Sequence, residues 1–157
     1  AINYFGKRED VEIPLLQSLL PSNQAHLEQA LRLIMRNGRR KVGVVGLAFK
    51  PGTDDLRESP LVLLVEHLIG KGYPVRIYDA NVRISSLFGA NRQYIEKEIP
   101  HIEKLMTPNL DELITFADVL VIGQELESKH WNLVNGKETI ELVKLDSKTG
   151  KTVAAGN

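Results

Sequence analysis

Two short apolar runs on either side of a helical one restrict this chain more than any other feature. "KVGVVGL" (41–47) is valine-rich and nearly all apolar, the composition of a strand buried on both faces. "PVRIYD" (74–79) is a second β-type run, ending at Asp79. Between them, Ser59-Pro60 reads as a helix N-cap and first helical residue, "LVLLVEHLIG" continues the helix, and Lys71-Gly72 closes it. Strand, helix and strand within about forty residues form a βαβ unit, whose two strands must run parallel.

The rest of the chain extends that pattern. "NLDELITFA" (109–117) reads as a helix and "DVLVIG" (118–123) as another buried strand. The 85–106 region reads as a helix followed by a short strand at "HIEKLM". Upstream, "VEIPLLQSLL" (11–20) is helix-like, with Pro14 tolerable only in its first turn. "PSN" (21–23) is expected to break that run, with Ser22 or Asn23 capping a second helix to about Arg36. In that helix Leu27, Ala30, Leu31, Ile34 and Met35 fall at spacings of three and four, an apolar stripe suited to core or helix packing. Asn37-Gly38 ends it. Residues 126–157 carry no clear pattern. The fold class expected is α/β: a Rossmann-like, mostly parallel open sheet flanked by helices, with residues 1–40 as a helical lead-in and 41–157 as the domain.

Composition removes several functions. Twenty basic residues balance twenty acidic ones, so no nucleic-acid or anionic-membrane partner is implied. Apolar residues make up 43% and charged residues 25%, as in a soluble globular domain. No apolar run approaches a membrane span and no signal peptide is visible, which makes the cytoplasm the default location. The chain has no cysteine, hence no thiolate nucleophile, disulfide or thiolate metal site. Its four histidines are scattered without ligand spacing, so no metal site is expected. Trp131 and the four tyrosines lack interleaved basic residues and suit packing better than stacking on nucleic acid. A start without Met and a polar end, "SKTGKTVAAGN", suggest a fragment of a longer protein.

Chemistry concentrates in "GLAFKPGTDDLRESP" (46–60), between the first strand and its helix. Open α/β sheets bind ligands beyond the carboxyl ends of their strands, where this loop lies. Only Gly43 and Gly46 fit a G-x-G-x-x-G fingerprint, and the loop is far longer than the tight turn a fingerprint needs, so a main NAD site is not expected here. Lys50 and Arg57 instead offer an ammonium and a planar guanidinium to phosphate or sugar oxygens, beside a helix N-terminus that favours anions. Asp54 and Asp55 would brace the cations or shape the turn. A solvated charged loop is the alternative. Asp79 stands where Rossmann domains hold a ribose, but a strand-end Asp also serves as a turn former. Glu66 and His67 are helix neighbours expected to point apart, so no acid–base pair is read there.

The same residues resemble a known family. Phe49-Lys50, Thr53-Asp54-Asp55 and Arg57-Glu58-Ser59-Pro60 are similar to the C-terminal-domain signature of the UDP-glucose and GDP-mannose dehydrogenases. "GKGYPVRIYDANV" and "GANRQYIEKEIPHI" resemble the GDP-mannose branch, which serves bacterial alginate synthesis, more than the UDP-glucose branch. The resemblance covers most of the chain and fades after about residue 125. It implies a two-domain, oligomeric, NAD-dependent enzyme that oxidises a sugar C6 alcohol to a carboxylate in two steps through a cysteine thioester. By resemblance Lys50 contacts the sugar nucleotide, GDP-mannose or a relative, and Arg57 reaches the NAD held by the enzyme's own N-terminal domain. No catalytic residue and no metal ligand is assigned to this chain, and the isolated domain is expected to be inactive. A UDP-sugar 6-dehydrogenase domain and a non-catalytic nucleotide-binding or oligomerisation module remain the alternatives.

Overall fold

In a computed structural model, four parallel strands form the centre of the molecule. It describes residues 14–48, 52–57, 59–124, 126 and 128–142. Helix α1 (Pro14–Met35) leads into β1 (Val42–Val45), α2 (Pro60–Gly70) and β2 (Val75–Tyr78). A 3-10 turn (Ile84–Ser86), α3 (Gly89–Glu98), a single-turn α4 (Ile102–Leu105) and α5 (Leu110–Phe116) precede β3 (Val119–Ile122). Then α6 (Ser128–Val134) and β4 (Glu138–Glu141) follow. The sheet order is β2-β1-β3-β4, the Rossmann-like arrangement expected from the βαβ pattern.

Strand position explains strand composition. In β1 and β3, VGVV and VLVI, every residue is buried because helices cover both faces. The outer strands, VRIY and ETIE, instead alternate buried and more exposed positions. Alternation of side chains across the strands divides the core in two. On one face Val42, Val44, Ile77, Val119 and Val121 pack under α1, α2 and α3. On the other, Val45, Leu120 and Ile122 pack under α5 and α6, with Trp131 half-buried against them. Gly43 belongs to this second face: a Cβ there would stand 2.8 Å from both Ala117 Cβ and Leu120 Cδ2. The glycine lets α5 and the neighbouring strand close onto β1.

Most helix boundaries follow the sequence signals. Ser59 caps α2, its Oγ accepting from the Leu61 N–H at 3.3 Å. Gly72 closes that helix at φ +74°. Gly38, at φ +80°, ends α1, and its N–H donates to Met35 O. Leu27, Ala30, Leu31 and Ile34 are buried as the stripe requires, with Met35 half-buried beside them.

Two expectations need correction, and one stretch without an expectation gains a strand. The "PSN" break does not occur, and α1 runs unbroken from Pro14 to Met35. A proline in a helix interior removes one backbone hydrogen bond, a local cost that tertiary packing can outweigh. "HIEKLM" is not a strand: it forms α4, and only Met106 reaches the sheet, through a single parallel bridge to Ile77. Ile102 and Met106 lie four apart, so a short apolar run read as β fits one helical turn equally well. In the unpatterned end, β4 pairs with β3 as a fourth parallel strand. Among the described residues no helix is long and apolar enough to cross a membrane.

One ion pair ties β4 to the end of α1. Arg40 Nη1 donates to Glu138 Oε2 at 2.6 Å and Nη2 to Oε1 at 3.2 Å. The hydrogen bond from Arg40 holds the Glu138 carboxyl below its ordinary value. Its folded pKa is depressed, so its stabilisation is present above the unfolded carboxylate value and is lost as pH falls through the folded one. Glu138→Gln should therefore cost less than about 1 kcal/mol at neutral pH and nothing in strong acid, as for an exposed pair. Urea denaturation at a series of pH values checks the convergence. At Gly43, Ala substitution should destabilise by about 1–3 kcal/mol through overpacking. Wild-type denaturation by Gly43→Ala would contradict the close α5–β1 approach.

Candidate functional site

Strand order reverses between β1 and β3, because the chain moves to β2 on one side of β1 and returns to β3 on the other. The crevice between these strand ends is where ligands bind in open α/β sheets. Gly46 and Gly123 continue the two strands into it, donating to Tyr78 O and Val45 O at 2.8 Å each. Gly46 has φ +87°, a conformation that favours glycine. At Gly123, a Cβ would collide with the Leu61 side chain in the first turn of α2. Both glycines keep the strand ends bare where the backbone must turn.

The segment that leaves Gly46 is anchored at both ends. The Leu47 and Ala48 amides donate to Asp79 Oδ2 at 2.7 and 3.2 Å, and the Asn81 amide donates to Oδ1 at 2.9 Å. Asp79 is 6% exposed. Its carboxylate thus closes the turn after β2 and pins the start of the β1–α2 loop. At the other end, buried Ser59 donates its hydroxyl to Leu47 O at 2.7 Å while capping α2. Between these points Asn91 of α3 holds the middle of the loop. Its Oδ1 accepts from the Leu56 amide at 2.9 Å and its Nδ2 donates to Asp54 O at 2.5 Å.

Arg57 follows directly. Asp55 accepts from its Nε and Nη2 at 2.8 Å each, and from its backbone N–H at 3.2 Å. Asp55 therefore braces the guanidinium, as the loop composition suggests, and fixes its direction on an exposed surface. Beside it Phe88 is 82% exposed, an unusual position for a large apolar ring. Asp54, Asp55, Arg57, Phe88 and Asn91 border a shallow depression of about 310 Å³. A braced cation beside an open aromatic face suits a phosphate-bearing ligand with a planar group.

Of the two site residues expected from sequence, Arg57 stands at this depression, while Lys50 lies outside the described residues together with Phe49 and Glu58. Asp79 serves as an anchor of the loop, the turn-former reading. Glu66 and His67 do come within 3.6 Å, contrary to the expectation that they point apart. Both are exposed on α2, and the same His67 nitrogen lies 2.8 Å from Leu63 O, so the contact belongs to the helix surface. No group of three His, Asp or Glu side chains among the described residues could hold a metal ion. Asn91 and Phe88 were not visible as site residues from the sequence. Asn91 meets the loop across 35 positions of chain, and no local pattern marks such a contact.

The comparison with known proteins bears on this same segment. Residues 43–130 match the model of the UDP-glucose/GDP-mannose dehydrogenase family, UDP binding domain. The chain belongs to that family. It is 46% identical to GDP-mannose 6-dehydrogenase of Pseudomonas aeruginosa over 160 aligned residues, 99% of this chain and 36% of that protein. The chain thus spans about a third of the length of this relative, as its C-terminal domain. The likeness runs past residue 125, where the sequence resemblance was expected to fade. UDP-glucose 6-dehydrogenase of Haloferax volcanii is 40% identical over 83 residues, 50% of this chain and 19% of that protein. A crystal structure of a ternary complex of GDP-mannose dehydrogenase from Pseudomonas aeruginosa superposes with a TM-score of 0.76. That match is 46% identical and covers 95% of this chain and 35% of the other.

Removal of the Asp79 carboxylate tests the anchor. Asp79→Ala leaves three backbone donors without their partner and should destabilise the domain by about 1–3 kcal/mol per buried group left unsatisfied. Urea denaturation measures the loss, and a change below about 0.5 kcal/mol, typical of an ordinary surface site, would contradict the assignment.

Proposed function

We propose that this chain is the sugar-nucleotide-binding domain of a GDP-mannose 6-dehydrogenase. The observation that carries this reading is 46% identity along 99% of the chain to a GDP-mannose 6-dehydrogenase. The match to a UDP-glucose 6-dehydrogenase extends over half of it. The loop after β1 is the proposed site, with Lys50 on the substrate and Arg57 on the cofactor. A UDP-sugar specificity is the second reading, favoured by the description of the matching family domain as UDP binding.

In the complete enzyme, the proposed reaction takes the C6 alcohol of mannose to the acid. The alcohol is first oxidised to an aldehyde, losing a hydride and a proton. A cysteine thiolate adds to the aldehyde carbon, a second hydride leaves, and water cleaves the resulting thioester to release the carboxylate. NAD, held mainly by the enzyme's other domain, would supply the oxidant, with two molecules used in succession, one for each hydride. This chain has no cysteine, so the nucleophile belongs elsewhere in the enzyme. Its own residues bind and orient. The Lys50 ammonium is a compact charge for a phosphate or sugar oxygen. Arg57, fixed by Asp55, presents a directed guanidinium for a cofactor oxygen at the domain boundary. The exposed Phe88 ring beside it supplies apolar contact to whatever covers the depression. Assembly with an N-terminal NAD domain in a homo-oligomer and a cytoplasmic location belong to the same proposal.

Calorimetric titration tests the reading. This chain should bind GDP-mannose in preference to UDP-glucose, and Lys50→Ala should weaken that binding by about tenfold, the loss of one charged hydrogen bond. Mixed with NAD and GDP-mannose it should show no turnover. Preference for UDP-glucose would overturn the specificity, binding indifferent to Lys50→Ala would overturn the site, and NADH formation by the pure chain would overturn the division of labour.

A further inference from the structure

Helix α3 gives up one place on its inner face to the loop. Ile95 is fully buried within the helix and Ile99 is buried at its end, so Asn91 stands where that apolar stripe would begin. An aliphatic side chain there would extend the core. Asparagine instead places a carboxamide, which both donates and accepts, against backbone groups 35 and 37 positions earlier in the chain.

The two groups it bonds flank a single residue. Asp54 O belongs to the peptide before Asp55, and the Leu56 N–H belongs to the peptide after it. One side chain thus fixes the peptide planes on both sides of Asp55, and with them the direction of its carboxylate. That carboxylate accepts from Arg57 Nε and Nη2 at 2.8 Å each. Leu56 is itself buried, and its carbonyl accepts from the Ser59 amide at 3.3 Å, which closes a turn around Arg57. The Arg57 and Asp55 side chains are 55% and 45% exposed. An ion pair as open as this contributes little by itself, and it orients a side chain only if the backbone beneath it is held. Asn91 is the group that holds it.

From this geometry we infer that Asn91 is a positioning residue for the cofactor: it holds Asp55, Asp55 holds Arg57, and Arg57 meets NAD already oriented. The inference rests on the proposed contact between Arg57 and NAD. Among the described residues the Asn91 side chain bonds to no other group, so its influence falls on the cofactor and not on the sugar nucleotide. A guanidinium set in advance avoids the ordering of a long side chain on binding, which corresponds to about two- to tenfold in affinity. Asparagine is needed for its two-sided chemistry. A carboxylate at position 91 would still accept from Leu56, but it would face the Asp54 carbonyl with no proton to offer.

Steady-state kinetics of the complete enzyme test the inference, with NAD and whichever of GDP-mannose and UDP-glucose it turns over. Asn91→Ala and Asn91→Asp should each raise KM for NAD by about two- to tenfold and leave KM for the sugar nucleotide unchanged. Arg57→Ala should raise KM for NAD by about tenfold or more, the loss of a charged hydrogen bond. Adding Asn91→Ala to Arg57→Ala should then change nothing further, because the two act through one contact. A merely structural role would lower the fraction of active enzyme and move neither KM. In this chain, NMR should show the Arg57 Nε–H exchanging faster with water in Asn91→Ala, while the other amide signals report an intact fold. A full effect of Asn91→Ala on top of Arg57→Ala, equal rises in both KM values, unchanged exchange at Arg57 Nε, or an unaltered KM in Asn91→Asp would overturn the inference and leave the role of Arg57 standing. An unaltered KM for NAD in Arg57→Ala would instead overturn that role, and the inference with it.

Discussion

The buried carboxylate of Asp79 is the interaction on which the arrangement at the strand ends depends. A loop that leaves a central parallel strand carries backbone N–H groups with no further strand to receive them, and buried groups of this kind must find partners. Asp79 supplies those partners for Leu47 and Ala48 from the end of the neighbouring strand. Ser59 takes the Leu47 carbonyl from the start of the next helix. Two side chains thus turn the origin of a long loop into a continuation of the sheet.

This solution differs from the tight glycine-rich turn of a dinucleotide fold. There the helix N-terminus meets the phosphate directly, with little side-chain chemistry. Here the first turn of α2 is capped by its own Ser59, and Leu61 occupies the space against Gly123. In the proposed reading, anion recognition passes to side chains carried on the loop. Arg57 is the clearest case, since Asp55 holds it by two hydrogen bonds before any ligand arrives. A braced arginine loses less side-chain freedom on binding than one that must be ordered by its ligand. The same logic explains the sharing of Asn91 between the loop and α3.

Much of this was legible in the sequence. Valine-rich runs marked β1 and β3 because a strand covered on both faces has no polar side to show. Ser59-Pro60 and Gly72 marked the ends of α2 through local capping chemistry alone. The loop motif gave the family, and Arg57 with Asp55 gave a braced cation. The unread parts share a physical cause, dependence on contacts distant in the chain. Pro21 looks like a break when its local cost is considered alone, yet α1 continues through it. Met106 belongs to the sheet by one bridge only, too little to impose a strand pattern on its neighbours. Asp79 could be a ribose ligand or a turn former until its partners 31 and 32 residues away are known. Asn91 and Phe88 sit in a helix start of ordinary composition, and only folding brings them beside Arg57.

The central claim is that the loop between β1 and α2 is shaped in advance by Asp79, Ser59 and Asn91. Hydrogen exchange of the ligand-free chain, resolved at single amides, tests it most directly. The Leu47 and Leu56 amides, bonded to Asp79 and Asn91, should exchange as slowly as those of β1. Exchange of both at the rate of an open loop would contradict the account, and would mean that the loop takes its shape only when a ligand binds.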